Sequence, residues 1–220
     1  MILRFKGQYD NLDKSYKFRD HIKNNVFLTT HVIKENKVIY MRPGRAASSL
    51  IVRLMMASEE VSRPYYYGRG TNDWLESITD DKILLEYFIF TFVRNPFGRI
   101  YSAWRAMRKK GALVAKDFDE FVLMKGDGHL LNEDGNFTND HWFPQHKYIE
   151  FSNKDFFINF IGKVENLSED WDKIKNRIGC PDTEIKKAEL EDYKPYYNKH
   201  TKKKISKIYK KDLKYFDYEF

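Results

Sequence analysis

Two arginines and a serine raise the first chemical question in this chain. In TFVRNPFGRIYSAWR (residues 91–105), Arg94 ends a strand-like run and Pro96 opens a helical pattern. Arg99 and Ser102 fall in the first two turns of that pattern. Guanidinium and hydroxyl donors at a strand's end suit an anion, because arginine stays charged and donates in a fixed fork. Taken singly, Arg94 is explained as well by a surface ion pair and Ser102 by a solvated helix position. A second segment, VIYMRPGRAASSLIVRLM (38–55), reads as a strand, a tight loop and a helix start. Exposed N–H groups and the helix dipole make that geometry an anion cradle. Ala46 and Ala47 would let a ligand approach the backbone, Ser48 and Ser49 offer hydroxyls, and Arg45 adds a fixed charge. An ordinary strand–helix turn capped by Ser48 accounts for the same residues. No Gly-Lys-Ser/Thr follows Gly44 at Walker spacing, so a kinase or NTPase reading loses its support.

The elements that must hold these groups follow from the apolar pattern. KVIYMR (37–42), EYFIFTFV (86–93) and DFFINFIGKV (155–164) read as buried strands. Leu50, Ile51, Leu54 and Met55 recur at helical spacing, and Phe97, Ile100, Tyr101 and Trp104 share one helical face after Pro96. Asn166 with Glu169 resembles a capping box opening a helix through Trp171, Ile174 and Ile178. Near the C-terminus Ile205, Ile208, Tyr209, Leu213 and Phe216 form one stripe among lysines. Strands separated by helices imply an α/β fold, a central parallel sheet with helices on both faces. Residues 111–154 read as loops and short helices. No repeat or linker divides the chain, so residues 1–220 are expected to form one domain, with 1–36 as an N-terminal extension.

Composition narrows the classes. A 42% hydrophobic, 16% aromatic chain is globular, not disordered. A net charge of +7 and a pI near 9.2 favour an anionic ligand without choosing among nucleic acid, glycan and nucleotide. One cysteine, Cys180, excludes an internal disulfide. No apolar run approaches the roughly 18 residues of a membrane helix, and the N-terminal apolar run is too short for a signal peptide. These features predict a cytoplasmic protein, in which the triplets starting at Asn136 and Asn166 are chance matches to a glycosylation pattern.

Together the two motifs resemble those of sulfotransferases that use PAPS (3′-phosphoadenosine 5′-phosphosulfate). Arg45-Ala46-Ala47-Ser48-Ser49 is similar to the family's first loop, Lys/Arg-Ser-Gly-Ser/Thr-Ser/Thr, departing at Ala47, where the family has glycine. Val93-Arg94-Asn95-Pro96, with Arg99 and Ser102, matches the second motif throughout. NDHWFPQ (139–145), FIGKVENLSEDW (160–171) and the closing KISKIYKKDLKYFDYEF resemble the carbohydrate sulfotransferase branch. The resemblance covers about residues 37–220, excepting 61–85, and implies a P-loop-like sheet.

It also implies roles. Pro43, Gly44, Arg45, Ala46, Ala47, Ser48, Ser49 and Leu50 would hold the 5′-phosphosulfate, and Arg94 and Ser102 the 3′-phosphate. Arg45 would stabilise the charge leaving on adenosine 3′,5′-bisphosphate. The acceptor hydroxyl needs a base that works near neutral pH. His141 is the first candidate, a loop-fixing role being its alternative, and Glu60 is the reserve. Trp142 and Gln145 could contact a sugar by stacking and hydrogen bonding, although Trp142 fits a core equally well. RPYYYGRG (63–70) could line the acceptor cleft. No metal is expected, and NEDGN (132–136) reads as a solvated turn, since it lacks EF-hand spacing. A nucleic-acid-binding protein, using the lysines between Lys199 and Lys214, and a nucleotide-binding relative without catalysis are the competing classes.

Overall fold

The structure is a computed structural model that describes residues 30–57, 66–67, 86–126, 128–149, 158–185 and 190–220. Its strands are β1 (Thr30–Ile33), β2 (Val38–Met41), β3 (Tyr66–Tyr67), β4 (Phe88–Val93) and β5 (Phe160–Lys163). Its helices are α1 (Ser48–Ala57), α2 (Pro96–Lys109), α3 (Phe118–Leu123), α4 (Leu167–Asp172), α5 (Lys199–Ile208) and α6 (Lys210–Tyr215). The sheet order is β3-β1-β2-β4-β5.

The three expected strands are present and mutually parallel, with Met41 opposite Thr91 and Val93 opposite Lys163. The sheet as a whole is mixed, which corrects the all-parallel expectation. Within the segment read as an extension, Thr30–Ile33 forms β1, antiparallel to β2, and β3 adds antiparallel to β1. The physical reason lies in the connection. Only residues 34–37 separate β1 from β2, with Lys37 in a left-handed conformation at φ 51°. So short a turn closes an antiparallel pair, whereas a parallel one needs a crossover of about a dozen residues.

Both faces of the sheet are covered, as period-2 alternation of apolar residues on both sides requires. Val38, Tyr40, Phe90 and Phe92 pack with Ile51 and Met55 of α1 and Trp171 of α4. Ile39, Met41, Ile89 and Val93 face the other way, against Tyr148 and Phe216. A third cluster joins Phe97, Ile100 and Trp104 of α2 to Phe118, Trp142, Ile205 and Tyr209.

Two helical expectations need revision. Asn166 makes no capping bond, because residues 164–166 form a 3-10 turn that leads directly into α4. Helix α4 ends at Asp172, and Ile174 and Ile178 are buried from the turns that follow. The C-terminal stripe is split into α5 and α6 at Tyr209, whose φ and ψ are −100° and 25°. Most lysines of these helices are exposed, as on any solvated amphipathic face. Among the described residues no helix is long and apolar enough to cross a membrane.

Candidate functional site

Because β2, β4 and β5 run parallel, their C-terminal ends share one edge of the sheet, the place where open α/β sheets bind ligands. Three pieces of chain meet there: the loop after β2, the β4–α2 junction, and the 139–145 segment.

The loop after β2 enters α1 at Ser48. Arg45 and Ala47 have φ of 63° and 57°, so the chain passes through the left-handed region twice before the helix begins. For a residue with a Cβ that conformation costs roughly 1–2 kcal/mol, which explains glycine as the natural occupant of position 47. The first turn of a helix leaves its N–H groups without intrahelical partners, and here that turn lines a cavity of about 360 Å³ together with the loop. Gly44, Arg45, Ala47, Ser48, Ser49 and Leu50 line it, while Pro43 and Ala46 are buried beneath the loop and do not.

At the second junction the backbone of Arg94 is locked on both sides. Arg94 N–H donates to Gln145 Oε1, and Gln145 Nε2 donates to Arg94 O, each at 2.8 Å. Asn95 caps α2 by accepting from Phe97 N–H, and its own N–H donates to Glu165 Oε1. Gly98 leaves room for the Tyr193 ring, which a Cβ would meet at 2.9 Å. Arg94 and Ser102 both line the cavity. Arg45 Nη2 donates to Ser102 Oγ at 2.9 Å, so the two motifs are joined by a direct hydrogen bond. Burial pulls the Arg94 guanidinium below its usual pKa, Glu165 opposing that and Arg45 adding to it, and burial lowers Arg45 in the same way. Both stay charged at neutral pH. Buried Arg45 Nε has no partner among the described residues.

Arg99 does not line this cavity. It is fully buried, its Nε donating to Gly44 O at 2.8 Å and its Nη2 reaching Asp140 O at 3.5 Å. It is a strut between the first loop and the 139–145 segment. Gly44 completes that contact, since a Cβ there would lie 2.9 Å from His141 Cα.

His141 therefore sits against the anion loop and lines the same cavity. Its Nδ1 lies 2.7 Å from Asp140 Oδ1 and 2.8 Å from Asn139 Oδ1. Trp142 and Gln145, expected as sugar contacts, do not line this cavity. Trp142 is buried against Phe121, with its Nε1 donating to Thr138 Oγ1 at 3.2 Å. Gln145 is fully buried because both ends of its amide are spent on the Arg94 backbone. Glu60 lies outside the described residues, as do the side chains of 63–70.

Four participants were not singled out from the sequence. Arg42 lines the cavity, Glu165 braces Asn95, and Asp140 touches the histidine. Asp212, fully buried, accepts from Gln145 N–H at 2.8 Å and His146 N–H at 2.9 Å. A signal for Asp212 existed: it falls three residues after Tyr209 and four before Phe216, on the apolar stripe. Among the described residues no group of three or more His, Cys, Asp or Glu is placed to hold a metal ion.

Comparison with known proteins agrees with this geometry. Residues 29–219 match the profile of a family described as the sulfotransferase family. Carbohydrate sulfotransferase 14 of Danio rerio is 28% identical over 118 residues, covering 44% of this chain and 32% of that protein. An uncharacterized protein of Archaeoglobus fulgidus is 30% identical over 101 residues, covering 46% of this chain and 75% of that protein. The chain thus matches about a third of the length of the Danio protein. No solved structure matches.

Proposed function

The chain belongs to the sulfotransferase family, and from that premise we propose that it transfers a sulfuryl group from PAPS to a hydroxyl, borne by a saccharide. The observation that carries this reading is the Arg45–Ser102 hydrogen bond within a cavity also lined by His141. It puts the residues suited to the donor's two ends within reach of each other and of a base.

The donor's phosphosulfate lies against the loop from Gly44 to Leu50, which acts as a P-loop-like cradle, and the 3′-phosphate lies between Arg94 and Ser102. Arg45 Nε, without a partner among the described residues, and the N–H groups at the start of α1, at Ser48 and Ser49, are the donors suited to that anion. In the reaction the acceptor oxygen forms a bond to sulfur as the bridging S–O bond breaks. The bond's electrons leave on the bisphosphate, whose added charge Arg45 stabilises. The acceptor proton passes to His141. A saccharide acceptor is favoured by the likeness to a carbohydrate sulfotransferase.

The test is thermal unfolding with adenosine 3′,5′-bisphosphate, beside AMP and beside ATP with magnesium. A ligand specific to the folded state adds about 2.7 kcal/mol at a hundredfold excess over its Kd. A large rise in Tm with the bisphosphate alone, lost in Arg94→Ala, is the expected result. A rise with ATP–magnesium and none with the bisphosphate would sink the proposal. Transfer from labelled PAPS to a panel of saccharides then tests the acceptor class.

A further inference from the structure

We propose that Asp140 is the positioning residue of His141: its carboxylate holds the proton on Nδ1 and so presents Nε2, with its lone pair, to the acceptor hydroxyl. This rests on the proposed transfer, in which His141 is the base.

The geometry begins with the 139–142 turn. Asn139 caps it, its Oδ1 accepting from His141 N–H at 3.0 Å, so the histidine backbone is fixed. The imidazole Nδ1 then meets two oxygens, Asp140 Oδ1 at 2.7 Å and Asn139 Oδ1 at 2.8 Å. Both oxygens are acceptors, so Nδ1 must be the donor, and the lone pair of the neutral ring is left on Nε2. The carboxylate carries a full charge where the amide carries only a dipole, so Asp140 rather than Asn139 stabilises the imidazolium formed when the acceptor's proton arrives.

The surroundings keep that carboxylate ionised and in place. Burial works to raise the Asp140 pKa, but the His141 hydrogen bond and the charges of His141, Arg42 and Arg99 outweigh it and hold it below the usual carboxylate range. The sign matters: a lowered carboxyl stays ionised at every pH above that range, including the whole range in which histidine titrates. Arg42 faces the pair from the end of β2, Arg99 from α2, and Tyr148 from the 145–148 turn. Arg45, Arg94 and Ser102 line the cavity on the far side. Arg99 also grips the Asp140 backbone oxygen at 3.5 Å, while the Asp140 side chain is 35% exposed. An isosteric change there leaves the fold's contacts in place.

The proton count closes without any further reactant. The hydroxyl proton goes to His141 Nε2, the Nδ1 proton stays where it is, and Asp140 gains none. The new positive charge on the ring is matched by the carboxylate at 2.7 Å.

The experiment reads His141 directly, by long-range proton–nitrogen NMR of labelled imidazole in the full chain, and in parallel measures turnover. In the unaltered protein the neutral ring is expected to carry its proton on Nδ1. Asp140→Asn is expected to lower the share of the neutral ring that carries its proton on Nδ1. With Tm held, it should cut kcat by roughly 100-fold or more, leaving KM for the donor unchanged. Asp140→Glu should restore part of the loss. Asp140→Asn with the His141 tautomer and kcat both unchanged would overturn the inference, as would a neutral ring protonated on Nε2 in the unaltered protein. If the imidazole behaves as expected but no acceptor is sulfated, the proposed function falls and the pairing stands.

Discussion

The two sides of the cavity are built differently. On one side, Arg45, Arg94, Ser48, Ser49 and Ser102 line the cavity. On the other, of His141, Trp142 and Gln145 only His141 lines it, while Trp142 and Gln145 are buried in the protein. The first group lies at strand–helix junctions, where the sheet end and the helix N-terminus fix the direction of each residue. The second lies on two 3-10 turns, Asp140–Trp142 and Gln145–Tyr148. In such turns neighbouring side chains point in different directions, and most must anchor the segment to the core. Anchors occur on regular elements too, as Arg99 of α2 shows, but on the irregular segment they include two of the three residues named.

Three variants would break or sharpen that contrast. The largest effect is expected from His141→Ala; His141 lines the cavity together with Asp140. Turnover should fall by about 100- to 10,000-fold, the span of general-base catalysis, while the bisphosphate still raises Tm. Near-normal turnover would rule His141 out as the base.

Next is Gln145→Ala. If Gln145 anchors Arg94, losing its two buried bonds should cost about 1–3 kcal/mol of stability and weaken bisphosphate binding, with KM for the acceptor unchanged. Denaturant unfolding and calorimetry measure both. A change confined to acceptor KM would return Gln145 to the substrate side.

The smallest effect tests the loop itself. Ala47→Gly should raise stability by about 0.5–1 kcal/mol, relief of the left-handed backbone exceeding the entropy glycine costs. A fall in Tm would mean that the Cβ packing of Ala47 against the core outweighs its backbone strain.

Arg99 and Asp212 show where residue type misleads. In the sequence Arg99 looks like a third anion ligand, being spaced with Arg94 and Ser102. Its helix position turns it inward, where it can satisfy the Gly44 carbonyl and reach the Asp140 carbonyl across 55 and 41 residues of chain. Asp212 looks like one more charge in a lysine-rich helix, yet it bonds Gln145 and His146. Gln145 in turn fixes Arg94, so a carboxylate near the C-terminus positions an arginine that lines the cavity. Both residues make long-range hydrogen bonds to backbone groups, and composition and periodicity do not encode such partners.

The local pattern by itself determined the three strands after which the site is built and the helices after Pro96 and Ser48. Each of these rests on short-range rules: alternating burial, capping, proline at a first helical turn, and small residues where a backbone must be approached. Tertiary structure alone decided that β1 closes the sheet antiparallel and that Arg99 is a strut. It also decided that Gly44 abuts His141 and so brings the Asp140–imidazole pair beside the loop after β2. Those outcomes depend on which distant segments come within 3 to 4 Å of each other, and the packing of two sheet faces and a third helical cluster sets that.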